Sequence, residues 1–326
     1  MIKNFWKALP RPFSVLAPME DVTDIVFRRL VRECGAPDVL FSEFTSTDGM
    51  FSRGEHKVIH RLEIGSDESP IVAQIWGRSP ENYYRAAKKL AELGFDGIDI
   101  NMGCPVEKII RSGNCSALID EPGLAAELIA AAKEGAGDVP VSVKTRIGFQ
   151  TQKTEEWANF LLEQGLAALT VHGRIAKHLS KYAAKWEEIG KVVSIRNQLG
   201  VDTVIVGNGD VLSLDEVREK HVSHGVDGVM IGRGIFENLF LFNEHERPLC
   251  ERSVDEKLAL LLRHIELFEE YWKERKPYRV LKKFFKIYVT HFSGASELRM
   301  KLVETETSDE ASAVIDEWKA ERSERL

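Results

Sequence analysis

The sequence predicts a (β/α)8 TIM barrel followed by a small, all-helical C-terminal domain. Three observations carry that expectation. Short β-like runs recur about eight times before residue 242, and most are followed by an amphipathic helical stretch. Strand alternating with helix argues for a parallel sheet, and roughly 240 residues is the size of an eightfold β/α unit. After Phe242 the strand-like runs stop and only helical spacing remains. The expected division is 1–242 for the barrel and 243–326 for the helical domain, with the boundary in the polar segment 243–253.

In chain order the β-like runs are 13–17, 39–43, 71–75, 97–101, 141–144, 168–172, 203–207 and 228–231. Between them lie amphipathic stretches at 24–33, 80–93, 122–134, 154–164, 186–199 and 214–221. A doubly wound open sheet is the second choice. It calls for an early G-x-G-x-x-G after the first strand, and VLAPMEDVTD carries none. In the tail, Leu258, Leu261, Leu262, Ile265 and Phe268 keep helical spacing, as do Val280, Leu281, Phe284, Phe285 and Tyr288.

Composition narrows the class further. The chain has 326 residues, 44% hydrophobic and 29% charged, which is ordinary for a soluble globular protein. A net charge of −7 gives no global sign of a nucleic-acid binder, although a local basic patch is compatible with it. Cys34, Cys104, Cys115 and Cys250 form no C-x-x-C pair, so neither a zinc ribbon nor a thioredoxin motif is supported. Their spacing fits reduced cytosolic thiols. The N-terminus lacks the apolar core of a signal peptide, and no apolar run approaches the ~18 residues of a membrane span. A cytoplasmic protein without metal or membrane attachment is expected, and no protein partner is implied.

The ends of the β-runs carry the chemistry. The first ends in Pro18 and Met19, the second in Glu43, the third in Gln74 and the fourth in Asn101 with Cys104 just beyond. The fifth ends in Lys144 with Arg146 following, and the sixth in His172-Gly173-Arg174. The seventh runs into Gly207-Asn208-Gly209-Asp210 and the eighth into Gly232-Arg233-Gly234. In a barrel these ends converge on the face where active sites are built. Singly, His172 is also readable as a satisfied core histidine and Lys144 as a lysine snorkelling from the rim. Their joint placement at successive strand ends favours a site. Glycines after the last two strands let backbone N–H groups approach an anion, and Arg233 adds a charged donor. A phosphate site is therefore expected there, the alternative being that these glycines only make tight turns.

These runs resemble the tRNA-dihydrouridine synthases, FMN-dependent barrel enzymes that reduce uridine in tRNA. The matching segments are LAPMEDVTD, QIWG, DINMGCPVEKIIRSG, VKTRIG, LTVHGR, VGNGD and MIGRGIF, spanning residues 15 to 236. A weaker match, KKFFKIYVTHFSGASELR, lies in the tail. The resemblance implies that Pro18, Met19, Gln74, Lys144 and His172 contact the flavin. It implies that Asn208, Gly209, Asp210, Gly232 and Arg233 hold its ribityl chain and phosphate. Asn101 would hold the target uracil, Cys104 would be the catalytic acid, and Lys108 and Arg111 would sit in the loop covering the base. Arg174 joins the substrate side. The chain departs from the family in placing Cys115 two residues after Gly113, where G-x-G is common, and in carrying Ile175, Glu20 and Asp21. The resemblance gives Cys115 no task.

The implied reaction fits a thiol. Reducing the uracil C5=C6 bond needs a hydride at C6 and a proton at C5. FMN reduced by NADPH or NADH supplies the first. A thiol of ordinary pKa ~8.5 is protonated at neutral pH and serves as a general acid for the second. Strongly electropositive surroundings would instead favour a thiolate nucleophile. A uridine in folded tRNA has to be extruded, and its backbone needs a basic track. Lys273, Arg275, Lys276, Arg279, Lys282, Lys283 and Lys286 crowd the tail, with helical spacing placing Arg279, Lys282, Lys283 and Lys286 on one side. A solvated charged face is the alternative there. Two rival functions remain: an FMN barrel oxidoreductase acting on a free pyrimidine or small enone, and a non-catalytic tRNA-binding protein. The first would not need the basic tail. The second would have lost Cys104, Lys144 or His172, all of which are present.

Overall fold

The structure, a computed structural model, describes residues 4–323. Eight parallel strand positions form the barrel: β1 (Phe13–Leu16), β2 (Leu40–Phe41), β3 (Ile71–Trp76), β4 (Gly97–Met102), β5 (Val141–Arg146), β6 (Ala168–His172), β7 (Val204–Asn208) and β8 (Gly228–Ile231). The sheet runs β1-β8-β7-β6-β5-β4-β3-β2. A parallel bridge between Val15 and Val39 closes the ring, with the Leu16 N–H donating to Val39 O at 3.0 Å. Every expected β-run is a strand of this barrel.

The strands are short and apolar because both faces are covered. All six residues of β4 are buried, including the charged Asp99. Below them the inside is filled by Phe13, Val39, Phe41, Val72, Ala168, Val204, Val206 and Met230. Trp6 plugs this end and is fully buried, its ring centroid 5.9 Å from that of Phe13 and 6.3 Å from that of Phe41.

The helices α1 (Ile25–Cys34), α2 (Pro80–Glu92), α3 (Pro122–Ala136), α4 (Thr154–Leu162), α5 (Trp186–Leu199) and α6 (Leu214–His224) match the expected stretches. Their ends follow local chemistry. Ser79 caps α2 by accepting the Asn82 N–H, with Pro80 in the first turn. Gly200 and Gly225 end α5 and α6 in the left-handed conformation. The crossover after β2 is irregular. Strand pairing resumes at Thr45–Ser46, and only the short turns Thr47–Met50, Glu55–Lys57 and Ile59–Leu62 lead to β3.

Packing divides the chain into two compact units. One holds the described residues up to Ile25 with Pro37–Gly234; the other holds Val26–Ala36 with the residues from Ile235 onward. A boundary at 242/243 would leave α1 with the barrel. Side-chain contacts instead tie most of it to the helical unit. Phe27 stacks on Phe284 at 5.4 Å, and Arg263 donates to both carboxylate oxygens of Glu33 at 2.9 and 2.8 Å.

The helical unit contains α7 (Val254–Tyr271), α8 (Ala295–Glu304) and α9 (Ser308–Ser323). A capping box between Ser253 and Glu256 starts α7. The apolar spacing at 280–288 does not make one long helix. It folds as three short turns, Tyr278–Val280, Lys282–Phe284 and Phe285–Tyr288, which still bury Leu281, Phe284, Phe285 and Tyr288. No helix among the described residues is long and apolar enough to cross a membrane.

Candidate active site

The carboxyl ends of β3, β4 and β5 are joined by a buried polar chain. The Ser142 hydroxyl donates to Asp99 Oδ1 at 2.6 Å, and Gln74 Nε2 donates to Asp99 Oδ2 at 2.8 Å. Asn101 Nδ2 then donates to Gln74 Oε1 at 2.9 Å. Burial pushes the Asp99 carboxyl up to about 6, against the Ser142 and Gln74 hydrogen bonds and the Lys144 charge. Asp99 and Ser142 were not among the expected site residues. A charged residue within the apolar run Ile98-Asp99-Ile100 was the available signal.

Asn101 also shapes the segment that carries the thiol. Its Oδ1 accepts the N–H groups of Gly103 at 3.0 Å and Cys104 at 2.9 Å. The chain then turns at Pro105, which leaves the Val106 backbone beside the Cys104 sulfur. Cys104 is half-buried beside Cys115, Phe44, Ile109 and Trp76. The hydrogen bond from Cys115 is the largest influence on Cys104. Together with the Val106 N–H and Arg146 it brings the thiol down to about 7, against burial and Glu20. Lys108 and Arg111 lie exposed on the short helix that follows and at its end, with Arg111 paired to Glu107.

Arg146, expected at a strand end but given no role, and Arg78, not expected at all, hold this loop. Arg146 Nε donates to Gly103 O at 2.8 Å, and its Nη1 to Leu179 O at 3.0 Å and Ile175 O at 3.4 Å. One guanidinium thus ties the thiol loop to the loop after β6. Arg78 donates to Gly113 O and grips both oxygens of Glu121, at 2.8 and 2.7 Å. On the far side of the mouth Pro18 is buried and Met19 half-buried in a turn, where the Met19 N–H donates to Thr23 Oγ1 at 2.9 Å. Glu43 Oε1 accepts the Asp21 N–H at 2.6 Å, and Arg61 donates to Glu20 at 2.8 Å.

Cations gather beyond β5 and β6. Burial, with Arg146 nearby, brings the Lys144 amine down to about 8, although Asp99 and Cys104 oppose this. Burial and the charges of Arg146, Lys144, Arg174 and Arg233 hold His172 well below the usual imidazole range. The geometry agrees. Arg174 Nη1 lies 3.1 Å from His172 Nε2. Arginine only donates, so Nε2 accepts and the neutral ring carries its proton on Nδ1.

Arg174 is buried and directed into its own loop. It donates to Tyr182 O at 2.5 Å and to Asp210 Oδ2 at 2.5 Å. Asp210 also accepts the Ala184 N–H at 2.8 Å, so its carboxylate faces this loop. Asn208 Nδ2 donates to Met230 O at 2.7 Å and bridges β7 to β8.

The strand-end residues Gln74, Asn101, Lys144, His172 and Asn208 therefore share one barrel face, with Cys104 at its rim. Lys282, Arg279, Lys283 and Lys286 belong to the helical unit. Arg279, Lys283 and Lys286 are exposed, whereas Lys282 bonds Glu306 at 3.1 Å.

The residues present fit an anionic cofactor. Arg233 is exposed beside Gly232, and its Nη1 lies 3.4 Å from Ser180 Oγ. A Cβ built on Gly232 would meet nothing nearer than 3.8 Å, so the backbone there faces open space. Gly209, at φ +131°, adopts a backbone that side-chain-bearing residues rarely take. Arg174 and Arg233 disfavour the charges of Arg146 and His172, which an anion among them would relieve.

A barrel with a thiol loop, a buried amide–carboxylate chain and a cationic cradle at one mouth defines a cofactor-dependent enzyme of the (β/α)8 class. The chain matches the family described as "Dihydrouridine synthase (Dus)" over residues 15–323. It is 47% identical over 321 residues to a "Probable tRNA-dihydrouridine synthase 2" of Bacillus subtilis (strain 168), covering 98% of this chain and 97% of that relative. It is 45% identical over 327 residues to a "Probable tRNA-dihydrouridine synthase" of Staphylococcus aureus (strain MRSA252), covering 99% and 98%. The chain belongs to the dihydrouridine synthase family, a family of flavin-dependent oxidoreductases. Among solved structures, morphinone reductase shares the barrel with a TM-score of 0.54 at 12% identity, covering 74% of this chain and 88% of that one. An old yellow enzyme homologue from Zymomonas mobilis does so at 0.52 and 14%, covering 73% and 89%.

Proposed function

We propose that the protein reduces the C5=C6 bond of specific uridines in tRNA to 5,6-dihydrouridine. Its resident cofactor in this reading is FMN, and a nicotinamide nucleotide, NADPH or NADH, is the reductant. The observation that carries the proposal is Cys104, a half-buried thiol set at the barrel mouth by Asn101 and Val106. When bound, reduced FMN supplies the hydride for C6.

The chain's own residues do the rest. Gly209, Gly232 and Arg233 receive the phosphate, with Asn208 positioned by its bond to Met230 O and Asp210 steadying Arg174. Pro18, Met19, Gln74, Lys144 and His172 line the ring. A neutral His172 offers its Nδ1–H while Arg174 holds Nε2. Asn101 keeps the Cys104 loop in place and, with Lys108 and Arg111, forms the uracil side, whereas Arg174, expected there, is taken up by Tyr182 O and Asp210. Cys104 gives its S–H proton to C5, and the electron pair stays on sulfur. A thiol near 7 is matched to that role at neutral pH.

The tail supplies the RNA track through Arg279, Lys282, Lys283 and Lys286, in the part of the chain from 243 to 326. We place the protein in the cytoplasm, where its tRNA substrate is. The test is NADPH oxidation by the purified protein with and without unmodified tRNA, with mass spectrometry of the RNA. A tRNA-stimulated rate and a gain of two hydrogens per modified uridine are expected. Equal activity on free uracil without tRNA would overturn the reading.

A further inference from the structure

Cys115 is a buried thiol that the reaction above does not use. It is fully inaccessible and sits at φ +54°, a left-handed backbone that a side-chain-bearing residue adopts at a cost. Its neighbour Ser116 is fastened to the thiol loop, its hydroxyl donating to Cys104 O at 2.9 Å and its N–H to the same oxygen at 3.4 Å. Gly113, just before, is tied by Arg78 to Glu121. This fixes the Cys115 side chain in an apolar pocket with Phe44, Ile109 and Trp76 and against the Cys104 side chain, a placement in which one thiol can donate to the other.

A thiol bond is asymmetric, with one S–H donating and the other sulfur accepting. Cys115 is shut away from water, and burial together with Cys104 pushes its pKa well up, so it keeps its proton. It is the donor and Cys104 the acceptor. We propose that Cys115 is a positioning residue for the reaction: its S–H aims the Cys104 sulfur and stabilises the thiolate that Cys104 becomes after giving its proton to C5. Only the Cys104 S–H bond breaks; Cys115 exchanges no proton, and solvent later restores the one lost from Cys104. The chemical consequence rests on Cys104 as the acid. The other charged groups facing the Cys104 sulfur are Glu20, which disfavours the thiolate, and Arg146, which favours it; the Cys104 thiolate in turn supports the charges of Lys144 and Arg146.

The experiment uses full-length, FMN-loaded protein and three variants. Cys115→Gly removes the donor and suits the left-handed backbone, Cys115→Ser keeps a donor of similar size, and Cys104→Ala removes the acceptor. Flavin content shows that each variant is folded. Alkylation of Cys104 by iodoacetamide, followed site by site by mass spectrometry across pH, reports its thiolate. Half-maximal reactivity in the unaltered protein is expected near about 7. In Cys115→Gly the midpoint should rise by about one unit, slowing alkylation at neutral pH ~5-fold, and Cys115→Ser should restore most of it. The pH profile of flavin reoxidation by unmodified tRNA should move in the same direction. An unmoved midpoint in Cys115→Gly would overturn the proposal, as would equal shifts in the Gly and Ser variants, which would reduce Cys115 to packing. Normal reoxidation in Cys104→Ala would instead remove the acid role itself, an outcome that the alkylation midpoints read separately.

Discussion

Asn101 and Gln74 share a side-chain hydrogen bond of 2.9 Å between neighbouring strands β4 and β3. Because Asn101 also accepts the Cys104 N–H, the thiol loop is referenced to the barrel through this one amide. Asn101→Ala would leave the Gly103 and Cys104 N–H groups and Gln74 Oε1 without that partner. A loss of ~2 kcal/mol is expected for such buried orphans, read as a fall of about 4–8 °C in Tm. Slower reoxidation of pre-reduced flavin by tRNA should accompany it. A wild-type Tm with full activity would show that the loop is held by Arg146 and Ser116 alone.

Cys104→Ala removes the proton donor and leaves the cationic cradle intact. FMN binding and reduction by NADPH should survive, while tRNA-driven reoxidation slows by ~10²–10⁴-fold. Rapid mixing of pre-reduced enzyme with unmodified tRNA, followed by flavin absorbance, separates the two steps. Reoxidation at the unaltered rate would mean that water or another side chain delivers the proton.

The pH dependence of that step has a defined sign. The Cys115 hydrogen bond brings Cys104 down to about 7, and only its protonated form can donate. Single-turnover reoxidation should therefore decline as pH rises through about 7 and level off on the acid side. His172, held well below its ordinary range, stays neutral and adds no second inflection near neutrality. A rate that climbs with pH instead would identify the thiolate as the active form.

Arg233→Ala tests the phosphate cradle. Losing a charge-assisted partner should weaken FMN retention about tenfold, measured as flavin released during dialysis. Equal retention would move the phosphate away from Arg233.

Changing Lys282, Lys283 and Lys286 to alanine should weaken tRNA binding and flatten its log–log salt slope by about 2. Flavin content and NADPH oxidation without tRNA should not change. Lys282 already bonds Glu306, so its single variant should have the smallest effect. Undiminished tRNA affinity in the triple variant would make this stripe a solvated face.

The barrel was legible because a strand covered on both faces must be apolar and its rim residues need not be. Runs such as 71–75 and 97–101 show both properties in five letters. The crossover after Phe41 was less so, since Ser42, Glu43 and Phe44 interrupt pairing without a glycine or proline to mark it. Helical spacing at 280–288 gave the buried face but not the breaks between turns, because a 3-10 turn and an α-turn bury residues at nearly the same intervals. Arg146 and Arg174 show a different limit. Their order in VKTRIG and LTVHGR places them at the mouth, yet both guanidinium groups bind backbone carbonyls. Whether a cation faces a ligand or its own loop depends on partners that the local run does not contain, such as Gly103 O and Leu179 O for Arg146 and Asp210 for Arg174. Helix α1 is similar: Phe27 and Glu33 find partners more than two hundred residues later.

Trp6, fully buried against Phe13 and Phe41, packs at the end of the barrel where β1 begins, away from the strand ends that carry Cys104. On the function proposed above, a nucleotide that brings electrons and an RNA that collects them would then both arrive at the strand-end face. The electrons would rest inside between those two visits.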